Sequence, residues 1–412
     1  MKITVDRDSL SKSLRRCDLR GAPTGNSALS CVALSARRVP DLPGGLDLRA
    51  TNGLLGIATM ITCSTEREGD VFLNTKQLAS VVNMMPPGTL TLESPGEELV
   101  VSNGKRRWRG KTRPLTDVKD LPDVPPQPTL KLPAAEFLAG LGRVGFVVPN
   151  VSAEHKVRQG VLVDAPGDSL SFVVVGEHMV ASMQSAVVPG SAWRGLIPEF
   201  ALSHAREIAV EEEKGAIEVF ATEHYTWIQN SATLLVYSPP PGEYLDWRLL
   251  LSRVTHTPVC RVPRLALTES LKALIAACPE DVARTWVEVR PDATISLDYA
   301  DRDSQVTFHD DVTVTDLTKS ALPAFIIDAS HFRDALDAAG GDATLNYVND
   351  RHVSLTTEDG YLWTCALIHP NPEERPPGGG TPLSKPPATA ASVPPEPAPA
   401  DKPKRSGGRK PK

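Results

Sequence analysis

Two short stretches place histidine beside carboxylates, an arrangement in which side chains can exchange protons. Glu177 precedes His178, and His309 is followed by Asp310 and Asp311. Histidine titrates near neutral pH, so either stretch is a candidate acid–base pair. Neighbouring residues of a strand point to opposite faces, which argues against the Glu177–His178 pair. The chain has no GxSxG, P-loop, GxGxxG or HExxH motif. These absences argue against an enzyme, and a hydrolytic enzyme using His309 and Asp311 is kept as the alternative of a different class.

The cysteines predict neither a metal site nor a disulfide framework. No CxxC pair occurs, and no histidine stands at a metal-type spacing from them. We therefore expect reduced thiols, no metal, no cofactor and a cytoplasmic location. No apolar run approaches the ~20 residues that span a bilayer, and we expect no secretory leader and no membrane partner. The six cysteines are Cys17, Cys31, Cys63, Cys260, Cys278 and Cys365.

Lysine and arginine recur on the predicted helices, although the formal net charge of the chain is −6. A local positive surface suits the phosphate backbone of duplex DNA, and non-specific binding needs nothing more. The alternative is that these are ordinary solvated positions on amphipathic helices. The candidate DNA-contacting residues are Lys12, Arg15, Arg16, Arg20, Lys76, Arg143, Arg206, Lys272 and Arg333.

The elements that carry these cations repeat along the chain. A short strand followed by an amphipathic helix begins at "MKITVDRDSLSKSL", "TLKLPAAEFLAGL" and "VCRVPRLALTESLKAL", about 129 residues apart. A second series with nearly the same spacing begins at "VFLNTKQLASVVNMM", "GLIPEFALSHAREIAV" and "AFIIDASHFRDALDAA". Alternating segments broken by turn residues follow each second helix, which is typical of antiparallel hairpins. This pattern predicts that each copy forms one α+β domain.

Helical spacing supports these assignments. Leu10, Leu14 and Cys17 stand at i, i+4 and i+7, one face of a helix. Asn74 and Thr268 are the predicted caps of two of the helices. Two helices covering one side of the strands give an α+β fold with two helices packed on antiparallel sheets in each domain. The predicted domains are residues 1–125, 126–254 and 255–371.

Residues 372–412 are rich in Pro, Gly, Ala and Ser and show no apolar periodicity, which predicts a disordered tail. The last stretch, "DKPKRSGGRKPK", is basic. It is either an arm that touches phosphates or a solubilising extension.

Repetition of one asymmetric unit by rotation builds a ring when the rotation closes, and closure pairs exposed sheet edges.

The order and spacing of these segments resemble the β subunit of bacterial DNA polymerase III, the sliding clamp. The resemblance rests on "MKITVDRDSLSKSL" at the start, "PLTDVKDLPDV" at 114–124 and "PPPGEYLDWRLLL" at 239–251, and it covers residues 1 to about 370. It implies three repeated DNA-clamp domains that form half of a six-domain ring. It further implies a head-to-tail homodimer that encircles double-stranded DNA and has no catalytic activity. The polymerase III catalytic subunit and the clamp loader complex are the implied partners.

The resemblance also implies one hydrophobic pocket per chain for the peptides of partner proteins. His178 lies 18 residues after Gly160, as in the family, whereas Glu177 stands where the family has Gly. We therefore expect an altered peptide preference. Core packing between strands is the alternative for these residues, and a divergent clamp paralogue serving repair or a mobile element is the alternative for the chain. The implied pocket residues are Val175, His178, Met179, Val180, Leu245, Leu249, Leu250, Thr364, Ala366, Leu367 and Ile368.

Overall fold

The structure is a computed structural model and describes residues 1–19, 27–38, 43–152, 154–187, 190–212, 214–278, 283–300, 305–318 and 324–368. The predicted tail and Arg20 lie outside the described residues. Within those ranges, no helix is long and apolar enough to cross a membrane.

Three successive units of the chain contain the same order of strands and helices. The first unit contains β1 (Lys2–Asp6), α1 (Arg7–Cys17), β2 (Cys31–Arg37), β3 (Gly45–Thr51), β4 (Leu55–Thr62), β5 (Ser64–Arg67), β6 (Gly69–Asn74), α2 (Thr75–Met84), β7 (Thr89–Glu93), β8 (Glu98–Asn103) and β9 (Arg106–Lys111).

The second unit follows the same order without a counterpart of β5. It contains β10 (Leu130–Pro133), α3 (Ala134–Val144), β11 (Gly160–Ala165), β12 (Leu170–Val175), β13 (Met179–Ser185), β14 (Trp193–Pro198), α4 (Glu199–Glu211), β15 (Ala216–Ala221), β16 (Thr226–Gln229) and β17 (Thr233–Tyr237). A short connector helix, α5 (Trp247–Ser252), leads to the third unit.

The third unit repeats the second element by element. It contains β18 (Thr257–Val262), α6 (Arg264–Ala277), β19 (Arg284–Val289), β20 (Thr294–Ala300), β21 (Thr307–Thr313), β22 (Phe325–Asp328), α7 (Ala329–Ala339), β23 (Ala343–Asn349), β24 (His352–Thr356) and β25 (Tyr361–Ala366). The predicted fold class, helices on antiparallel sheets in repeated units, is confirmed. The domain boundaries near 125 and 254 stay predictions.

The helix starts show where the sequence was sufficient and where it was not. Asn74 caps α2 as predicted, because its side-chain oxygen accepts the N–H of Gln77 at 2.9 Å. The predicted cap at Thr268 is wrong. Strand β18 runs to Val262, and α6 begins directly after Pro263, so Thr268 lies buried inside the helix.

Antiparallel sheets run from one unit into the next. One eight-stranded sheet joins the first two units, with β4 paired to β17, and a second joins the last two, with β13 paired to β25. The first and third units also carry smaller sheets of five and four strands, with β5 and β9 at the edges of the first and β21 and β22 at the edges of the second. An edge strand presents unpaired N–H and C=O groups, which are a template for pairing with another strand.

A buried ion pair fastens the first junction. Arg16 of α1 is 6% exposed and contacts the carboxylate of Glu211 on α4. Its Nη1 also lies 3.5 Å from Oγ1 of Thr59 and 3.4 Å from Oγ1 of Thr233, which face each other on β4 and β17. Burial lowers the pKa of the Arg16 guanidinium. Arg16 is therefore a junction residue, and its assignment to the DNA-contacting set is corrected.

We expect Arg16→Ala to lower the free energy of unfolding by about 3 kcal/mol, because it leaves the Glu211 carboxylate without its buried partner. Lys12→Ala is the matched control, since Lys12 also contacts Glu211 but its side chain is 58% exposed. Exposed pairs contribute about 0–1 kcal/mol. Urea denaturation of both variants measures the difference. Equal losses for the two variants would contradict a structural role specific to Arg16.

Candidate DNA-facing and peptide-binding surfaces

The helices pack in pairs within each unit: α1 beside α2, α3 beside α4 and α6 beside α7. Each helix buries one apolar stripe, as Leu10 and Leu14 show for α1 at 0% exposure. On the polar faces of α1 and α2, the hydroxyl of Ser11 donates to the side-chain amide oxygen of Asn83 at 2.5 Å. The polar faces of each pair are thereby placed side by side.

Three of the candidate cations stand free on these faces. Arg15, Lys76 and Lys272 are exposed, and among the described residues none of them is in an ion pair. Arg15 and Lys76 line one groove of about 470 Å³ between α1 and α2. A groove that presents two cations together with hydroxyl and amide groups is suited to binding phosphate oxygens. The groove is lined by Ser11, Arg15, Asp18, Lys76, Ala79, Ser80 and Asn83.

The other candidates are engaged within the chain. Arg143 of α3 contacts Asp359 of the third unit at 2.5 Å, so it fastens the second junction. Arg206 is half-buried and donates to the carbonyl of Leu141 at 2.7 Å, and burial lowers its pKa. Each guanidinium thus has a protein partner, and DNA contact by Arg143 and Arg206 stays a prediction. Lys12 and Arg333 reach the surface but contact Glu211 and Asp334.

The predicted peptide pocket has a floor on the outer face of the sheet that joins the last two units. Val175, Val180 and Thr364 stand opposite one another on β12, β13 and β25. Leu162 and Val173 extend this face along β11 and β12. Since side chains alternate along a strand, these residues share one side of the sheet and form a continuous apolar patch.

The connector is fastened over this patch by aromatic and charged side chains. Tyr244 Oη accepts the N–H of Val175 at 2.9 Å, and burial raises its pKa to about 12, so the phenol stays neutral. Trp247 Nε1 donates to Oδ2 of the buried Asp164 at 2.8 Å. Arg248 contacts the same carboxylate oxygen and lies 4.7 Å from the Trp247 ring centre. One buried carboxylate therefore sets the position of α5.

This anchoring leaves leucines of the connector in solvent. Leu245, Leu249 and Leu250 are 42%, 49% and 42% exposed. They follow or flank Tyr244 and Trp247, which pack on the apolar patch. Clustered exposed leucines on a connector that is anchored over a buried apolar patch are typical of a surface that binds another protein. The connector surface consists of Val180 and the connector residues Tyr244, Leu245, Trp247, Leu249 and Leu250, with Leu162, Val173 and Val175 buried beneath it.

Several predicted pocket residues lie elsewhere. Met179 and Leu367 are buried in the central core and are corrected, because each faces inward next to a residue that faces outward. Ile368 packs with Trp286 and Ile326 on the sheet of the third unit. His178 is exposed in the turn between β12 and β13, and its carbonyl accepts the N–H of Ala366, which is half-buried.

Sequence reasoning missed Asp164, Tyr244 and Trp247. The aromatic pair stands in the same "EYLDWRLLL" segment as the predicted leucines, and this was a usable signal. Asp164 had none, because nothing local shows that a strand carboxylate is buried under a connector more than 80 residues away along the chain.

The histidine–carboxylate stretch of β21 forms a surface ion network. His309 Nδ1 lies 2.7 Å from Oδ1 of Asp298, and this hydrogen bond raises the pKa of the imidazole. Asp311 receives Arg290 Nη1 on both oxygens at 3.0 Å. Asp311, the carboxylate of the predicted acid–base pair, thus lies on the edge strand β21 and forms an ion pair with Arg290. Among the described residues, no cluster of His, Cys, Asp or Glu could hold a metal ion.

Solved structures of known proteins share this fold. The β subunit from the DNA polymerase of Streptococcus pyogenes superposes with a TM-score of 0.78 at 14% identity, over 90% of this chain and 100% of that one. The beta clamp of Helicobacter pylori bound to a DNA ligase peptide gives 0.73 at 16% identity, over 90% and 100%. No family model matches the chain.

The chain has the fold of the bacterial β sliding clamps. Among curated relatives, the beta sliding clamp of Micrococcus luteus is 24% identical over 200 residues, which is 46% of this chain and 59% of that protein. The sequence match thus spans about three fifths of that relative's length, while the structural match spans nearly the whole chain. The resemblance drawn from the repeated segments is confirmed, and the low identity marks a divergent sequence.

We expect the double reversal Arg15→Glu with Lys76→Glu to weaken association with duplex DNA. Each lost phosphate contact lowers the salt dependence, so the slope of log K against log salt should fall by about 2. Arg49→Glu with Lys131→Glu is the control, since it makes the same charge change at exposed positions of strands β3 and β10. Fluorescence anisotropy over a salt series measures both. Equal weakening by the two double variants would mean that overall charge acts, and not the α1–α2 groove.

Proposed function

We propose that this protein is a DNA sliding clamp, a processivity factor that encircles duplex DNA as a head-to-tail homodimer. One observation carries the proposal: each internal junction pairs the last strand of one unit with the strand at the position of β4 in the unit before it, and the corresponding strands of the first and third units, β9 and β21, are edge strands. A second copy supplies the missing partner of each edge, so that the rotation from unit to unit closes.

A closed ring holds DNA by topology, and local contacts then need only modest strength. Within the described ranges only a few helix cations stay free of ion pairs, and this supports weak binding, since Arg15, Lys76 and Lys272 would screen phosphate charge without forming a tight site. The proposal assigns the ring to the cytoplasm, with the polymerase III catalytic subunit and a clamp loader as partners. The protein performs no chemistry in this role.

The connector surface is the proposed docking site for partner peptides. A relative of the same fold is described as bound to a DNA ligase peptide, which supports a peptide site on this scaffold. Its exposed leucines, held in place over the buried apolar patch, suit a short hydrophobic motif. The exposed Glu177 and His178 border the floor at the β12–β13 turn and give its rim a composition of its own.

Retention on circular DNA tests the proposal directly. The protein is loaded by its cognate loader and ATP onto nicked circular duplex and passed through a sizing column in high salt. We expect co-elution with the circle and release after a restriction enzyme linearises it, because a ring can slide off an end. Equal retention on circular and linear DNA, or loss from both, would contradict encirclement.

We expect Leu249→Asp with Leu250→Asp to weaken binding of the polymerase's own clamp-binding peptide at least tenfold, because charge replaces exposed apolar contacts. The melting temperature should change little, since both side chains are already half-exposed. Leu265→Asp on α6 is the control at a leucine that is 68% exposed. Calorimetric titration measures the affinities. A wild-type protein that does not bind this peptide would favour a paralogue that serves other partners.

A further inference from the structure

The two internal junctions share one pairing rule. Each unit ends in a strand whose first residue closes a hairpin, and in the second and third units that residue is Thr233 or Tyr361. Thr233 stands opposite Thr59 of β4, and Tyr361 stands opposite Met183 of β13. Two residues further on, the buried side chains of Leu235 and Trp363 stand opposite Ile57 and Ala181.

The same positions can be identified on the two unpaired edges. Arg106 is the first residue of β9, and Trp108 follows two residues later. The corresponding residue on β4, β13 and β21 is found by following paired residues across the sheet of each unit. The starting point in each unit is the residue three positions before the cap of its second helix. That ladder runs through Val71, Leu34 and Leu48 to Thr59; through Gly195, Val163 and Phe172 to Met183; and through Phe325, Val287 and Leu297 to Asp310.

Transferred to a second copy, this rule places Arg106 opposite Asp310 of the partner subunit. It places Trp108 opposite Phe308 of the partner subunit, where Leu235 and Trp363 meet Ile57 and Ala181 inside the chain. Both aromatic side chains are partly buried and pack at the margin of the core. The transferred register therefore pairs an aromatic side chain with another and a cation with an anion.

At both internal junctions, an arginine of a helix forms an ion pair with the following unit, and the third unit lacks this arginine. Arg16 and Arg143 stand two residues after Leu14 and Leu141, the buried leucines of α1 and α3. Each of these arginines reaches an acid of the following unit. In α6 the buried leucine is Leu271, and the position two residues later is Ala273. The third junction thus lacks the helix arginine, while β9 carries an arginine where the other last strands carry Thr233 and Tyr361.

The space left by that alanine is open. A groove of about 500 Å³ lies between α6 and β21, lined by Ala266, Glu269, Ser270, Ala273 and residues Asp310–Thr313. Ser270 is 5% exposed, and its hydroxyl has no hydrogen-bond partner within the part of the chain that the structure describes. Oδ1 of Asp310 accepts the N–H of Asp311 at 2.9 Å, but among the described residues no cation pairs with Asp310, whereas Asp311 is paired with Arg290. The groove therefore has an unmatched carboxylate and an unused hydroxyl.

The opposite edge supplies complementary charge. Arg106 is exposed and donates Nη1 to the carbonyl of Met84, at the end of α2, at 2.7 Å. This bond fixes the stem of the side chain and leaves the remaining guanidinium donors free. Arg107, Arg109 and Lys111 make the rest of β9 basic. A basic edge and an edge with an unmatched acid favour each other over self-pairing.

We propose that a second copy of this chain closes each end through an Arg106–Asp310 ion pair beside a Trp108–Phe308 contact, with the arginine entering the groove over Ala273. The inference rests on the proposed ring and specifies its register. It also distinguishes the closing junction from the internal ones. At the internal junctions the guanidinium belongs to a helix of the same chain. At the closing junction it belongs to the edge strand β9, so the ion pair is broken when the two copies dissociate.

Charge exchange across the junction tests the register. We expect Arg106→Asp alone and Asp310→Arg alone each to raise the dimer dissociation constant about tenfold to a hundredfold. Mixing the two variant proteins in equal amounts should restore the dimer. In the mixed dimer one junction holds the exchanged pair and the other holds the natural pair, so both are matched. Sedimentation velocity of the full chain at concentrations that bracket the wild-type dissociation constant measures this.

Lys111→Asp is the control on the same strand, because the proposed register places it opposite Gln305 and not opposite an acid. Circular dichroism confirms that each variant is folded, and Arg106→Gln with Asp310→Asn gives a milder pair. Folded single variants that dimerise like the wild type, or a mixture that stays monomeric, would overturn the register while leaving the ring intact. A wild-type protein that is monomeric throughout would overturn the ring and the inference with it.

Discussion

Main-chain pairing between strands of successive units is the constraint on which the rest of this structure depends. At each internal junction, the last strand of one unit completes the sheet of the unit before it, as β17 does for β4 and β25 for β13. This removes two exposed edges per junction and aligns the units with a fixed register. The helices of every unit are then displayed on the same side of the sheets, and the opposite faces of the sheets are left for other contacts.

The two surfaces follow from this arrangement in different ways. On the helix side, cations close to a junction form ion pairs across it, as Arg16 and Arg143 do. Cations away from the junctions are the ones that can contact a ligand. On the sheet side, the strand pairing of β13 with β25 places Val180 beside Thr364 and so builds one floor from two units. The carboxylate of Asp164 then fixes the connector over that floor. Repetition thus supplies the scaffold, and a few side chains unique to each unit supply the differences.

The sequence was sufficient wherever the information is local. The spacing of Leu10 and Leu14 predicts the buried face of α1, and the side chain of Asn74 predicts the start of α2. It was insufficient where a distant partner decides: the bond between Arg16 and Glu211 spans almost two units, and nothing near Arg16 announces it. Strand facing was a second difficulty, since Met179 and Val180 are adjacent and only the register with Thr364 and Cys365 shows which of them faces outward.

The most direct test of the account is electron cryo-microscopy of the purified full-length protein without DNA or loader. We expect a closed ring of two chains around a central hole, with the sheets continuous across both contacts between the chains and β9 antiparallel to β21. Particles that hold two chains through any other surface, or single chains that do not close at concentrations well above micromolar, would contradict it.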